Sequence, residues 1–107
     1  MAVEIFEETH RGDVVTVVKL SGSLGIQQIG ELHRALIPVL RGKNICIDTR
    51  GVQEADFALV QLLVAARKSA GEKGLTLDTS RRLGDAVREA AELAGYGHRI
   101  TSNAKSG

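Results

Sequence analysis

The stretch Asn44-Ile45-Cys46-Ile47-Asp48-Thr49-Arg50-Gly51-Val52-Gln53-Glu54-Ala55-Asp56, running directly into Phe57-Ala58-Leu59-Val60-Gln61-Leu62-Leu63, decides the fold. Asn44 to Ile47 is a short apolar run that reads as a strand buried on both faces. From Phe57 to about Glu72, apolar and small residues recur with helical period, and Val60, Leu62, Leu63, Val64, Ala65 and Ala66 spread round most of the circumference. Such a helix puts one face into the core and part of another against a neighbour. Between strand and helix, residues 48–56 read as a loop with an acid at each end. Asp56 is placed to cap the helix, its carboxylate accepting a free backbone N–H of the first turn.

Working outward on the N-terminal side, Ala2 to Glu8 reads as an edge strand whose glutamates discourage further pairing. His10-Arg11-Gly12-Asp13 is a turn, and Val14 to Leu20, rich in β-branched residues, is a strand that pairs with the first as an antiparallel hairpin. Ser21-Gly22-Ser23-Leu24-Gly25 reads as a tight strand-to-helix loop; it has neither the GxGxxG spacing nor the lysine of a phosphate cradle. Ile26, Ile29, Leu32, Leu36 and Leu40 then mark the buried stripe of a helix. Pro38 should distort or end that helix near residues 35–37, and Gly42 closes the segment.

On the C-terminal side, Gly71 or Gly74 ends the central helix and Leu75 to Asp78 is a short strand. Ser80 is expected to cap a third helix, Arg81 to Ala94, burying Leu83, Val87, Ala90, Ala91 and Ala94, with Gly95 as its stop. Tyr96 to Ile100 adds a partial strand. The order β-β-α-β-α-β-α makes an α/β domain: a mixed sheet of four to five strands, helices mainly on one face, parallel where helices intervene. Residues 1–100 form one domain, and 101–107 are small, polar and read as a flexible tail.

At 107 residues the chain can build one core and no second. Three aromatic residues (Phe6, Phe57, Tyr96) leave that core to Val, Ile, Leu and Ala. A net charge of +1 gives no bulk reason to expect nucleic acid or an anionic membrane as partner. A single cysteine forms no intrachain disulfide, no apolar run approaches the ~20 residues of a membrane span, and Glu4, Glu7 and Glu8 argue against a signal peptide. A cytoplasmic location without membrane insertion is the default reading.

Candidate chemistry is sparse. An acid–base pair of Asp48 and Asp56 would need a nucleophile, base or metal ligand beside it, and the neighbours are Thr49, Arg50, Gln53 and Glu54. The simpler reading makes Asp56 the cap and Asp48 a strand-end acid partnering Arg50 or backbone N–H groups. His10, His33 and His98 have no metal-site spacing, and Cys46 reads as a small buried hydrophobe. No cofactor and no metal is expected. Arg81, Arg82 and Arg88, interspersed with acids, form a solvated helix face. Phe57 either fills core volume or stands outward as an apolar anchor, and Leu59 divides in the same way.

At Leu20-Ser21-Gly22-Ser23-Leu24 and at Ile45-Cys46-Ile47-Asp48 through Leu63, the chain resembles a STAS domain, the family of bacterial anti-sigma factor antagonists and of the cytoplasmic tails of sulfate transporters. The resemblance runs from about Val14 to Tyr96. The family's Gly-x-Leu corresponds to Gly22-Ser23-Leu24, its strand-ending acid to Asp48, and the acid of its central Asp-Ser-Ser/Thr-Gly-Leu motif to Asp56. Its phosphorylatable serine falls at Phe57, the next hydroxyl residue at Ala58 and its glycine at Leu59. The resemblance implies a non-catalytic protein-binding module without the serine that a partner kinase would phosphorylate. Its implied surface comprises Arg50, Gln53, Glu54, Asp56, Phe57, Ala58 and Gln61. The implied partner is an anti-sigma factor or other histidine-kinase-like regulator; the alternatives are an accessory subunit of a lipid-transport ATPase and, ranked lower, a small enzyme. The oligomeric state is left open.

Overall fold

The computed structural model describes residues 1–41 and 44–101. The first two strands, β1 (Ala2–His10) and β2 (Asp13–Leu24), form an antiparallel hairpin from Ala2 opposite Ser21 to His10 opposite Asp13. Arg11 and Gly12 both have positive φ, as a two-residue type I′ hairpin turn requires. Then follow α1 (Ile26–Val39), β3 (Asn44–Ala55), α2 (Phe57–Glu72), β4 (Leu77–Asp78), α3 (Asp85–Leu93) and α4 (Gly97–Thr101). Among the described residues the sheet has four strands in the order β1-β2-β3-β4, with β2/β3 and β3/β4 parallel.

Because side chains alternate across a strand, the register sorts the residues onto two faces. Ile5, Val18 and Ile47 align on one face, as do Thr16, Ile45 and Leu77. There Val18, Leu20, Ile45, Ile47 and Leu77 meet Leu32 and Leu36 of α1 and Leu59, Val60, Leu63, Ala66 and Ala70 of α2 in one core, joined by Val87, Ala91 and Ile100. Phe6, Val17, Cys46 and Asp78 align on the other face. Its groove of about 820 Å³ is bordered by Glu8 and Arg82, whose bidentate pair (2.6 and 3.1 Å) links β1 to the segment after β4.

Both presumed loops beyond the sheet are strand. Residues 21–24 continue β2 and residues 48–55 continue β3, paired as far as Leu24 opposite Ala55. The small polar residues that suggested turns are needed for the approach of the two backbones. A Cβ on Gly51 would stand 3.0 Å from the Ser21 Cβ and 3.2 Å from the Leu20 carbonyl oxygen. Two register shifts, between Lys19 and Ser21 and between Gly22 and Ser23, bend the ribbon as β-bulges do, with Gly22 at φ +87°.

The start of the third helix is also corrected. Ser80 does not cap it: its N–H and hydroxyl donate to Asp78 Oδ1 (both 2.8 Å), closing a local turn. The next residues run along β3 instead, with Thr49 N–H donating to the Arg82 carbonyl and Gly84 N–H to Thr49 Oγ1, both at 2.9 Å. The helix therefore begins at Asp85 with Gly84 as N-cap. A Cβ at Gly84 would lie 2.2 Å from the Thr49 carbonyl oxygen, so the close approach admits only glycine.

Gly74 (φ +74°) and Gly95 (φ +79°) end α2 and α3, with Leu75 N–H returning to the Ala70 carbonyl and Tyr96 N–H to that of Ala91. After Gly95 the chain forms α4, not a partial strand, and carries Ile100 into the core. Pro38 sits inside α1, which runs to Val39, past the expected break. Gly42, and the expected tail beyond Thr101, lie outside the described residues. No helix among the described residues is long and apolar enough to cross a membrane.

Candidate functional site

The last paired rung of the β2–β3 ribbon, Leu24 opposite Ala55, is followed at once by two helix starts. Gly25 caps α1 in extended conformation, its N–H donating to Gln28 Oε1 at 2.9 Å. Asp56 caps α2 as expected, Oδ1 accepting from Ala58 N–H at 3.0 Å. A Cβ on Gly25 would lie 3.7 Å from Asp56 Oδ2, so the two starts adjoin. Open α/β sheets place ligands at this end of parallel strands.

Phe57 stands outward: it is 46% exposed, whereas Leu59 is buried in the core. Its ring stacks on Tyr96 at 5.7 Å between centroids and 29° between planes, and Arg99 lies 5.7 Å over the Tyr96 ring. Phe57 lines a shallow groove of about 410 Å³ together with Ala55, Ala90, Leu93 and Ala94. Leu93 is 91% exposed, and Ile26, in the first turn of α1, is 74% exposed. Ile26 thus leaves the buried stripe assigned to it, because the helix begins beyond the edge of the core.

Of the other proposed surface residues, Gln53 and Glu54 are exposed near the end of β3, Ala58 is half-buried and Gln61 is exposed on α2. Arg50 stands apart, earlier on β3 and engaged with Asp48. Asp48 is 2% exposed, and its carboxylate accepts from Arg50 Nε (3.1 Å), Nη2 (2.8 Å) and backbone N–H (3.1 Å). That guanidinium holds the Asp48 carboxyl below the usual carboxylate range. Eight residues of extended strand, at ~3.3 Å each, span about 26 Å between Asp48 and Asp56, so the two acids do not share a site.

On the opposite sheet face, hydrogen bonds from Arg82 and His10 bring Glu8 down to a pKa of about 2. Burial pushes the Cys46 thiol up, as suits a packed hydrophobe. Arg81 pairs with Asp78 here and, on α3, Arg88 pairs with Asp85. Among the described residues no group of three His, Cys, Asp or Glu could hold a metal ion.

Three residues of the apolar surface, Ile26, Leu93 and Tyr96, are absent from the set named by sequence reasoning. Leu93 carried a signal, being a large apolar residue off the Leu83, Val87, Ala90, Ala91, Ala94 stripe of an otherwise charged helix. The Tyr96–Phe57 stack had none, since it depends on the turn at Gly95.

Residues 8–102 match the family model described as "Mlab, STAS domain". Among solved structures, the unphosphorylated form of the anti-sigma factor antagonist SpoIIAA is similar, with TM-score 0.69 and 14% identity over 90% of this chain and 83% of that one. An anti-sigma factor antagonist from Mycobacterium paratuberculosis is similar at TM-score 0.59 and 21% identity, over 88% of this chain and 79% of that one. At these identities the likeness is one of fold. No curated protein matches the chain.

Proposed function

The chain belongs to the STAS family, and from that premise we propose that it is a non-catalytic, cytoplasmic protein-binding module, a single domain over residues 1–100, related in role to the anti-sigma factor antagonists but without their phosphorylation switch. One observation supports the reading: Phe57, at the position that the resemblance assigns to the family's phosphorylatable serine, is half-exposed and stacked on Tyr96 at an apolar groove. A hydroxyl there would be a site of modification; an outward aromatic ring backed by a second ring is an anchor. The surface comprises Phe57 with Gln53, Glu54, Asp56, Ala58 and Gln61, extended by Leu93 and Ile26. Arg50, held by Asp48, serves the strand more than the surface.

The same observation favours a second reading within the family, an accessory subunit bracing the nucleotide-binding subunit of a lipid-transport ATPase. A surface that takes no phosphate suits a constitutive contact better than a reversible one. The two readings differ in partner and share the surface.

The test is Phe57→Ser, measured by titration calorimetry against the histidine-kinase-like regulator or transporter ATPase encoded nearby. Loss of an aromatic anchor worth ~2 kcal/mol weakens binding by ten-fold or more. Because the ring is half-exposed, the variant remains folded. Unchanged affinity for a partner that the parent chain binds would move the interface elsewhere.

A further inference from the structure

The chain carries 14 Lys and Arg against 13 Asp and Glu, yet none of the basic residues falls in 20–33 or 51–66, the two segments that build the adjoining helix starts. Those segments supply Glu31, Glu54 and Asp56, all exposed. On α3, exposed Glu89 directly precedes Ala90, which lines the groove. Two cations stand near this end: Arg88, paired with Asp85 at 2.9 Å, and Arg99, which lies over the Tyr96 ring and keeps its charge. The result is an apolar groove with an anionic border on a chain whose overall charge is close to zero.

Resting on the protein-binding reading of this surface, we infer that its occupant is an amphipathic helix of the partner, apolar along one stripe and flanked by Lys or Arg. The groove is lined by the large apolar Phe57 and Leu93 and by three alanines, a surface suited to apolar side chains. Ile26, opening the adjoining helix at 74% exposure, offers a second apolar contact beside the groove. Apolar anchors spaced by helical turns fit such a surface. Cationic flanks then meet Glu54, Asp56 and Glu89, which sets partner choice and association rate more than the depth of binding. A second copy of the chain is a poor occupant, because face-to-face docking would bring these same acids together.

The probes are two peptides of about 18 residues with the same amphipathic pattern, one of Leu and Lys and one of Leu and Glu. Each is titrated into the labelled protein and followed by heteronuclear NMR. The Leu/Lys peptide shifts resonances within 24–30, 54–61 and 86–96 and binds about ten-fold more tightly than the Leu/Glu peptide. That preference shrinks as ionic strength rises from about 0.01 to 0.15 M and the Debye length falls from about 30 to 8 Å. The double variant Glu54→Lys, Glu89→Lys alters only exposed side chains and reverses the preference. Equal binding of both peptides at this surface overturns the cationic partner and leaves the surface standing. Shifts confined to another face, or a dimer in sedimentation that Leu93→Glu dissolves, overturn it as well. If neither peptide binds and Phe57→Ser leaves the affinity of the native partner unchanged, the protein-binding reading of this surface falls too.

Discussion

Gly84→Ala is a single methyl addition with a large expected effect. The new Cβ would lie 2.2 Å from the Thr49 carbonyl oxygen, 2.9 Å from its carbon and 3.0 Å from the Arg50 Cα, all backbone atoms of β3. A tolerable carbon–oxygen contact is about 3.3 Å, so the segment must retreat by about 1 Å. That retreat stretches the Gly84 N–H bond to Thr49 Oγ1 and the Thr49 N–H bond to Arg82 O from 2.9 Å to a length at which neither is a hydrogen bond. Two buried bonds at about 1 kcal/mol each, plus overpacking of 1–3 kcal/mol, come to about 3–5 kcal/mol. Against the ~5–15 kcal/mol of a small domain, this is a large share of the total. At ~4–8 °C per kcal/mol for a domain near this size, the thermal midpoint should fall by about 12 °C or more. Urea denaturation with an unchanged slope measures the loss directly. A midpoint equivalent to within about 0.5 kcal/mol of the parent would refute the close approach and, with it, the pairing of 79–84 along β3.

Gly71→Ala serves as the opposite case: it lies within α2 with nothing inside 4 Å of the added Cβ, so helix propensity should raise stability by about 0.5–1 kcal/mol in the same urea assay. Asp56→Ala removes the α2 cap and should cost about 1 kcal/mol by chemical denaturation; an unchanged midpoint would mean that the Ala58 bond contributes nothing. Glu8, at about 2 in the folded chain against 4.5 ordinarily, binds fewer protons folded than unfolded. Its stabilisation is therefore complete above about pH 5 and lost as pH falls toward 2, so Glu8→Gln should flatten the dependence of the thermal midpoint on pH in that window.

The elements legible in the sequence are those set by near neighbours. The β-branched run Val14 to Leu20, the Asp56 cap and the stops at Gly74 and Gly95 each follow from a few adjacent residues, and each stands where expected. The misreadings share a cause. Ser21 to Leu24 and Asp48 to Ala55 have turn-like compositions, and only their pairing with each other, some thirty residues apart, makes them strand. Ser80 satisfies the local rule for a cap, but Asp78 takes its hydroxyl and Thr49 holds the residues that follow. Tyr96 to Ile100 becomes helix because the turn at Gly95 aims Ile100 at the core. At the site, the outward direction of Phe57 depends on where α2 begins relative to the core, a tertiary fact no periodicity contains. Ile26 was misplaced for the same reason.

The pairing of Glu8 with Arg82 joins residues 74 positions apart and ties the edge strand β1 to the segment after β4, which runs along β3. A contact of that span bears its loop-closure entropy before it returns any enthalpy, so it is expected to form late, when the strands between are already aligned. Interactions formed after the folding barrier deepen the native basin without lowering the barrier itself. They slow the escape from the native state and leave the rate of entry almost unchanged. An edge strand held only by its hairpin partner would be the first element to peel away; here its departure waits on the breaking of a two-pronged charged contact. The expected outcome is that Glu8→Gln speeds unfolding and leaves the folding rate almost unchanged.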